Sequence, residues 1–443
     1  MRLPANSLAG SSLGLLVGKL LQMGGGFIFW IAAARTASTT TVGVTAAMVS
    51  GLMLCVQIAL LGVGAATTIL IHRHNSAEPS AHHRTIDDAV SFVLLSGAAV
   101  GAAYVGIAVW VTQGNQTLAS DPGVDLLFIV ASAFATVGVL LDQVSLAFSR
   151  GWQSTSRYLA SVALPIAIVW VIALQGGKLS AADLFLAWSI GTFVAVGVGA
   201  LQLRRSRAYH YRPRFALTRM RNLARIGFPM QLLTLVERAP ALLVPVLVSV
   251  IVSPTTTALW YAAWMAAWAI FTAPVAVGLA HFAEIVKDPG SAAQRTSEAI
   301  RSALLFGGIL GMVALVAAPQ ILGLLGPQYA EQSATALRIL VLGLLPFTLV
   351  QSYDAVCRAQ SRLKEAVTVG MVGGTILLSS VLLAAPHGLT PMAWAWVIGS
   401  IPWGTCAAIR IRQLLGSASH EVPPPDHIRN TTKSDVDLLR GKS

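Results

Sequence analysis

Charge is what this sequence lacks most: 11% of its 443 residues are Asp, Glu, Lys or Arg, while 55% are hydrophobic. A soluble chain carries roughly 25% charged residues to cover its surface, so a soluble globular protein is excluded. Cysteine is scarce too. Cys55, Cys357 and Cys406 all fall within apolar stretches or at their ends, and they offer neither a disulfide framework nor a metal site. His72, His74, His82 and His83 share one segment without the tight spacing of a zinc site and read as a solvated loop. No Gly-x-x-x-x-Gly-Lys-Ser/Thr loop occurs, so ATP hydrolysis is excluded. The loops are too short and too poor in carboxylates or histidines for a membrane-bound glycosyltransferase or polymerase; Asp121, Asp125 and Glu331 are the few on one side. The run from Leu8 is too long for a signal core, and no cleaved leader is expected.

What the chain does have is apolar runs of about 20 residues along its whole length, with a mean hydropathy of +0.70. Twelve membrane spans are expected, at 8–34, 42–71, 89–112, 124–148, 158–174, 182–203, 226–252, 256–283, 299–325, 334–357, 366–385 and 392–411. With both termini in the cytoplasm, 25 of the 30 Lys and Arg residues fall on the inner side, as the positive-inside rule requires. The net charge of +12 therefore reports topology and contact with anionic lipids, not nucleic acid. Eight arginines crowd residues 204–225. The end of that stretch, "FALTRMRNLARIGF", mixes apolar and basic positions as an interfacial helix does. The divisions expected are a bundle over 1–205, a basic connector over 206–225, a second bundle over 226–412 and a disordered tail over 413–443.

The two halves repeat. "TTTVGVTAAM" (39–48) faces "TTTALWYAAW" (255–264) at an offset of 216, and Gly62 then meets Gly278. "DQVSLAFSR" (142–150) faces "DAVCRAQSR" (354–362) at 212, and "AWSIG" (187–191) faces "AWVIG" (395–399) at 208. Six spans per repeat is an even number, so both halves run the same way through the membrane. Two parallel six-helix bundles around a central cleft follow, an all-α polytopic architecture suited to moving a substrate between membrane faces.

Ionisable residues within spans mark the candidate site, because each costs about 2.5–3.5 kcal/mol at a helix centre. They are Lys19, Asp142, Glu237, Arg238, Asp354 and, nearer a helix end, Glu284. The repeat register sets position 235 opposite Lys19, and Arg238 lies three residues further, close to one helical turn. Two cations at mid-depth on equivalent helices suit an anion, phosphate foremost. Glu237 is one position from Arg238, about 100° around the helix, and is a poor partner for it. Asp142 and Asp354 lie about 12 Å inward of Arg150 and Arg362. Each is open to two readings, a brace to a neighbouring helix or a site for a coupling ion.

The pattern resembles the multidrug/oligosaccharidyl-lipid/polysaccharide (MOP) exporter superfamily, and within it the lipid-linked oligosaccharide flippases of O-antigen and exopolysaccharide assembly. "GKLLQMGGGFIFWIAAAR" (18–35), "LGVGAATTI" (61–69) and "LLGPQYAEQSATALRILVLGLLPFTL" (324–349) carry the resemblance. It implies an undecaprenyl-pyrophosphate-linked oligosaccharide as substrate, no cofactor, and polysaccharide polymerases and glycosyltransferases as partners. It also implies a cationic cavity lined by the first and seventh helices, which places the pyrophosphate on Lys19 and Arg238, with Arg35 a weaker candidate. An ion-coupled multidrug or metabolite antiporter of the same superfamily is the alternative, and the two mid-depth cations argue against it. A facilitator-superfamily transporter is disfavoured because "HRHNSAEPSAHHRTIDD" (72–88) lacks the glycine-aspartate-arginine signature expected there.

Overall fold

The computed structural model describes residues 8–73, 79–112, 117–175, 177–207, 209–214 and 216–418. Apolar runs in a membrane must satisfy their backbone internally, and among the described residues every regular element is a helix. In the first half these are α1 (Leu8–Thr36), α2 (Thr39–Ala59), α3 (Val63–Arg73), α4 (Pro79–Thr112), the short α5 (Thr117–Ser120), α6 (Pro122–Ala147), α7 (Gly151–Leu174) and α8 (Ala181–Arg207). The second half holds α9 (Leu217–Ile251), α10 (Pro254–Lys287), α11 (Ala292–Gly323), α12 (Pro327–Val341), α13 (Leu344–Ala359), α14 (Leu363–Ala384) and α15 (Leu389–Ala418). Among the described residues, ten helices are long and apolar enough to cross a membrane, and the bent pair α12–α13 makes an eleventh. The 29 residues of α1 suffice for a further crossing.

Two expected spans are broken. The span read over 42–71 stops at Leu60 and resumes at Val63, because Leu61 and Gly62 take left-handed φ values of 41° and 79°. Glycine is needed at 62 for a second reason: a Cβ there would sit 2.0 Å from the Gly227 carbonyl carbon. The span read over 334–357 starts earlier and bends by 48° between α12 and α13. The stretch expected as an interfacial helix is instead the beginning of α9, which runs unbroken for 35 residues. Met220 and Leu223 are buried there, so the apolar face meets protein.

The repeat is visible in the packing. In the first half α1 packs on α7, α4 on α6, and α8 on both α6 and α7. In the second half α9 packs on α14, α11 on α12, and α15 on both α13 and α14. Ser149 and Ser361 end their helices at φ 53° and 59°, and Arg150 and Arg362 each donate a backbone hydrogen bond of 2.8 Å to the carbonyl five residues back. Gly191 abuts Ser161 and Pro165 of α7, and Gly399 abuts Leu377 and Ser380 of α14.

The hydrophobic core forks. One large cluster, including Trp30, Leu52, Phe128, Trp260 and Leu340, joins both halves at the end away from the arginine loop. Toward the arginine-rich end it divides into one cluster mostly of the first half, around Val93 and Leu140 with Leu223 of α9 added, and another within the second, around Tyr353 and Ala407. The joined end is closed where Gly43 meets the Pro254 backbone and the hydroxyls of Thr40 and Thr255 lie 3.2 Å apart. At the forked end one seam is also closed, by Gly62 against Gly227 and by Gln231 Nε2 donating to the Gln57 carbonyl at 2.7 Å.

Candidate functional site

The fork holds a cavity of about 740 Å³, lined by α1, α2, α9, α10 and α15 among others. Gly24 and Gly26 of α1 face open space, and a Cβ on either would meet nothing within 4 Å. Gly18 and Gly25, on the other side of the same helix, press against Tyr158 and Val162 of α7. The glycine-rich stretch therefore serves close packing on one face and room on the other.

Arg238 lines this cavity from α9. It is half-buried, and among the described residues no carboxylate or carbonyl pairs with it. Its neighbour Glu237 also reaches the cavity but is spoken for. Arg358 donates to Glu237 Oε2 at 3.1 Å, and Gln351 donates to Oε1. The salt bridge is largely shielded, its side chains 18% and 12% exposed. The cavity thus presents one cation without a counterion beside an acid already neutralised. Proline shapes this stretch: Pro229, Pro240 and Pro245 all lie within α9, and each removes a backbone donor from the helix.

Asp354 sits behind that pair, 1% exposed, with Glu237 and Arg358 as its electrostatic neighbours. Its Oδ2 has no hydrogen-bond partner, an expensive arrangement for a buried ionised carboxylate. Asp142, its repeat mate, lies in different surroundings away from the cavity lining. Arg157 of α7 donates to Asp142 at 2.6 Å and to Ser145, Ser154 and Gln202, while the Tyr158 hydroxyl donates to the other Asp142 oxygen. That network ties α6, α7 and α8 together.

Arg35 is not part of the cavity. It caps the C-terminus of α11, donating to the carbonyls of Leu324 at 3.0 Å and Gly323 at 3.1 Å. Lys19 lies on α1 before the glycine stretch, and its side chain is outside the described residues. The sequence reading missed the aromatic residues of the cavity, among them Trp188, Tyr261 and Trp268. The signal was present in "YAAWMAAW" (261–268), whose aromatic residues recur at helical spacing.

The sequence matches no protein-family model and no curated protein. Solved structures do match. An inward-facing multidrug-resistance MATE transporter of the MOP superfamily is 12% identical, over 92% of this chain and 100% of that one, with a TM-score of 0.72. The lipid II flippase MurJ, in an inward closed conformation, is 11% identical over 92% and 89% of the two chains, also at 0.72. A MOP-superfamily transporter from Pyrococcus furiosus, described as having a binding pocket of reversed polarity, is 14% identical over 94% and 96%, at 0.58. These relatives are transporters and a flippase, not enzymes. The chain is a multi-pass membrane protein with the fold of the MOP-superfamily transporters.

Proposed function

We propose that this chain is a flippase for a polyprenyl-pyrophosphate-linked oligosaccharide, turning it from the cytoplasmic to the outer leaflet of the cell membrane for surface-polysaccharide assembly. The observation that carries the proposal is Arg238: an unpaired guanidinium in the cavity between the halves, next to a carboxylate already neutralised by Arg358. A cavity with this balance attracts anions and repels cations. The guanidinium fork matches two phosphate oxygens at once, and Lys19 on α1 is assigned to the same head group. A polar head crossing hydrocarbon without partners would lose its hydration uncompensated, whereas here it travels in the fork with its lipid tail left in the bilayer. Both termini are taken as cytoplasmic, with the arginine loop on anionic headgroups and the polymerases and glycosyltransferases of the pathway as partners. The likeness to a protein named as a lipid II flippase favours a lipid-linked substrate.

The test is Arg238→Gln, expected to lower export of surface polysaccharide at least about tenfold, the effect of losing a charged hydrogen bond, with Arg238→Lys intermediate. Normal export from a Lys19→Ala, Arg238→Gln double variant present at wild-type membrane levels rejects the pyrophosphate role.

An ion-coupled antiporter is the second reading, favoured by the orphaned Asp354 carboxyl oxygen beside Glu237. A proton or metal cation bound there would couple the gradient to either kind of cargo. Dye efflux that collapses with Asp354→Asn, alongside normal polysaccharide, selects this reading.

A further inference from the structure

Most of the cavity wall is not charged at all. Along α10, Tyr261, Trp264, Met265 and Trp268 fall at helical spacing i, i+3, i+4 and i+7, and all four line the cavity. Trp188 of α8 joins them from the first half. Such a stripe in a membrane protein is ordinarily packing, and a ring that only packs is buried outright, as Trp260 is at 1% exposure. Tyr261, Trp268 and Trp188 are each only partly buried.

We infer that Trp188, Tyr261 and Trp268 form a sugar-stacking subsite in the cavity that holds Arg238. The inference rests on the flippase reading above and adds which part of the cargo these rings take. Three observations carry it. First, the rings are held by neighbouring aromatic rings of the same wall. Trp30 lies 4.9 Å from Tyr261 and 6.2 Å from Trp188, while Trp264 lies 5.9 Å from Trp268 and 4.4 Å from Trp396, between ring centroids. Rings fixed in advance lose little freedom when a ligand arrives, so their contact area converts to affinity. Second, polar side chains share the wall: Gln22, Ser50, Gln57 and Ser400. A pyranose has axial C–H groups that lie on an aromatic face and hydroxyls at its rim that need hydrogen bonds, and this mixture supplies both. Third, the charge excludes the usual rival for an aromatic box. A cationic drug gains from aromatic faces, but here it meets an unpaired Arg238 and no free carboxylate opposite it. An anion carrying a ring with one apolar face fits; a lipophilic cation does not.

Binding to the purified protein in lipid nanodiscs separates the two parts. The probes are farnesyl pyrophosphate and the same lipid carrying one N-acetylhexosamine, followed by calorimetry and by quenching of tryptophan fluorescence. The sugar-bearing lipid is expected to bind about tenfold tighter, a stacking contribution of ordinary size. Trp188→Leu and Tyr261→Leu, each checked for a monodisperse elution profile, should remove that increment and leave the bare lipid unchanged, whereas Trp188→Phe should keep it. Arg238→Gln should weaken both lipids equally. Equal affinity for the two lipids in the wild type overturns the subsite while sparing the pyrophosphate site. So does an equal loss for both lipids in Trp188→Leu. Binding of neither lipid overturns the flippase reading and the subsite together.

Discussion

Asp142 and Asp354 occupy the same position in the two repeats and yet do different things, because their partners do not repeat. Arg157 faces Asp142 across α6 and α7, whereas the residue 212 positions on from Arg157 is Val369. The sequence shows both aspartates at the same depth, and nothing in it says that one has a guanidinium waiting on the next helix. Contact across helices depends on rotation about each helix axis, which hydropathy does not encode. The Asp142–Arg157 pair is well shielded, its side chains 14% and 4% exposed. Removing one partner leaves the other charge buried, a loss of about 3–5 kcal/mol. Asp142→Asn is therefore expected to lower the thermal unfolding temperature in detergent, and an Asp142→Asn, Arg157→Gln double variant, which carries no charge but keeps polar groups beside Ser145, Ser154, Gln202 and Tyr158, should recover part of it. Equal destabilisation in the single and double variants would show that the pair acts through something other than charge.

At the scale of elements, the helix ends were the least legible part of the sequence. The connector between the halves reads as a basic stretch set by topology, but its described part is docked on α4. Tyr209 donates to Asp87 at 2.7 Å, the backbone N–H of Arg212 donates to the same oxygen at 3.0 Å, and that of Arg214 donates to Ser91 at 3.1 Å. Arg219, in the first turn of α9, pairs with Asp88 at 3.5 Å. Burial first, and then its bond to Asp87, push the Tyr209 phenol above its ordinary value. It therefore stays protonated, and stays a donor, throughout the neutral range. Asp87 and Asp88 stand directly before the span expected over 89–112, and the fold makes them a cradle for the connector. Asp87→Ala removes the acceptor for two of these bonds, at about 1–3 kcal/mol for the buried donors left behind. The expected result is faster tryptic cleavage after Arg214, since Pro213 protects the bond after Arg212, in otherwise folded protein, read by gel; an unchanged cleavage rate would mean that the connector is held by other contacts. The break between α2 and α3 makes a second case. A Cβ at Gly227 would lie 1.8 Å from the Gly62 carbonyl oxygen, so Gly227→Ala must part the seam there. Cysteines replacing Gln57 and Gln231 should cross-link readily with Gly227 in place and poorly in Gly227→Ala. Undiminished cross-linking would place the flexibility elsewhere.

For the whole molecule, the all-helical membrane-spanning plan, its repeat and the parallel relation of the halves were legible, because each rests on a periodicity or a spacing carried by the chain itself. The fork in the core was not. A residue facing lipid and one facing the opposite half are equally apolar, so hydropathy cannot tell the joined end from the divided one. The structure shows where the halves must part if the cavity is to open at the other face: at the joined end, where Arg35 reaches from α1 to the last carbonyls of α11 and Thr40 meets Thr255. Those contacts are polar and exposed, each worth about 0.5–1.5 kcal/mol, or up to 3 for the charged donor. That range is small enough to be broken in every cycle and large enough to bias a population. Two variants in a background without Cys55, Cys357 and Cys406 test this from opposite directions. Arg35→Ala should favour parting of the joined end, and a cysteine replacing the buried Ala46, three residues on from the Gly43 contact in α2, should then react several-fold faster with a membrane-impermeant thiol reagent. Cysteines at both 40 and 255, oxidised to a disulfide, should stop transport, and a reductant should restore it. If transport continues through the closed disulfide, the substrate does not leave by this end, and the two halves do not alternate about the cavity between them.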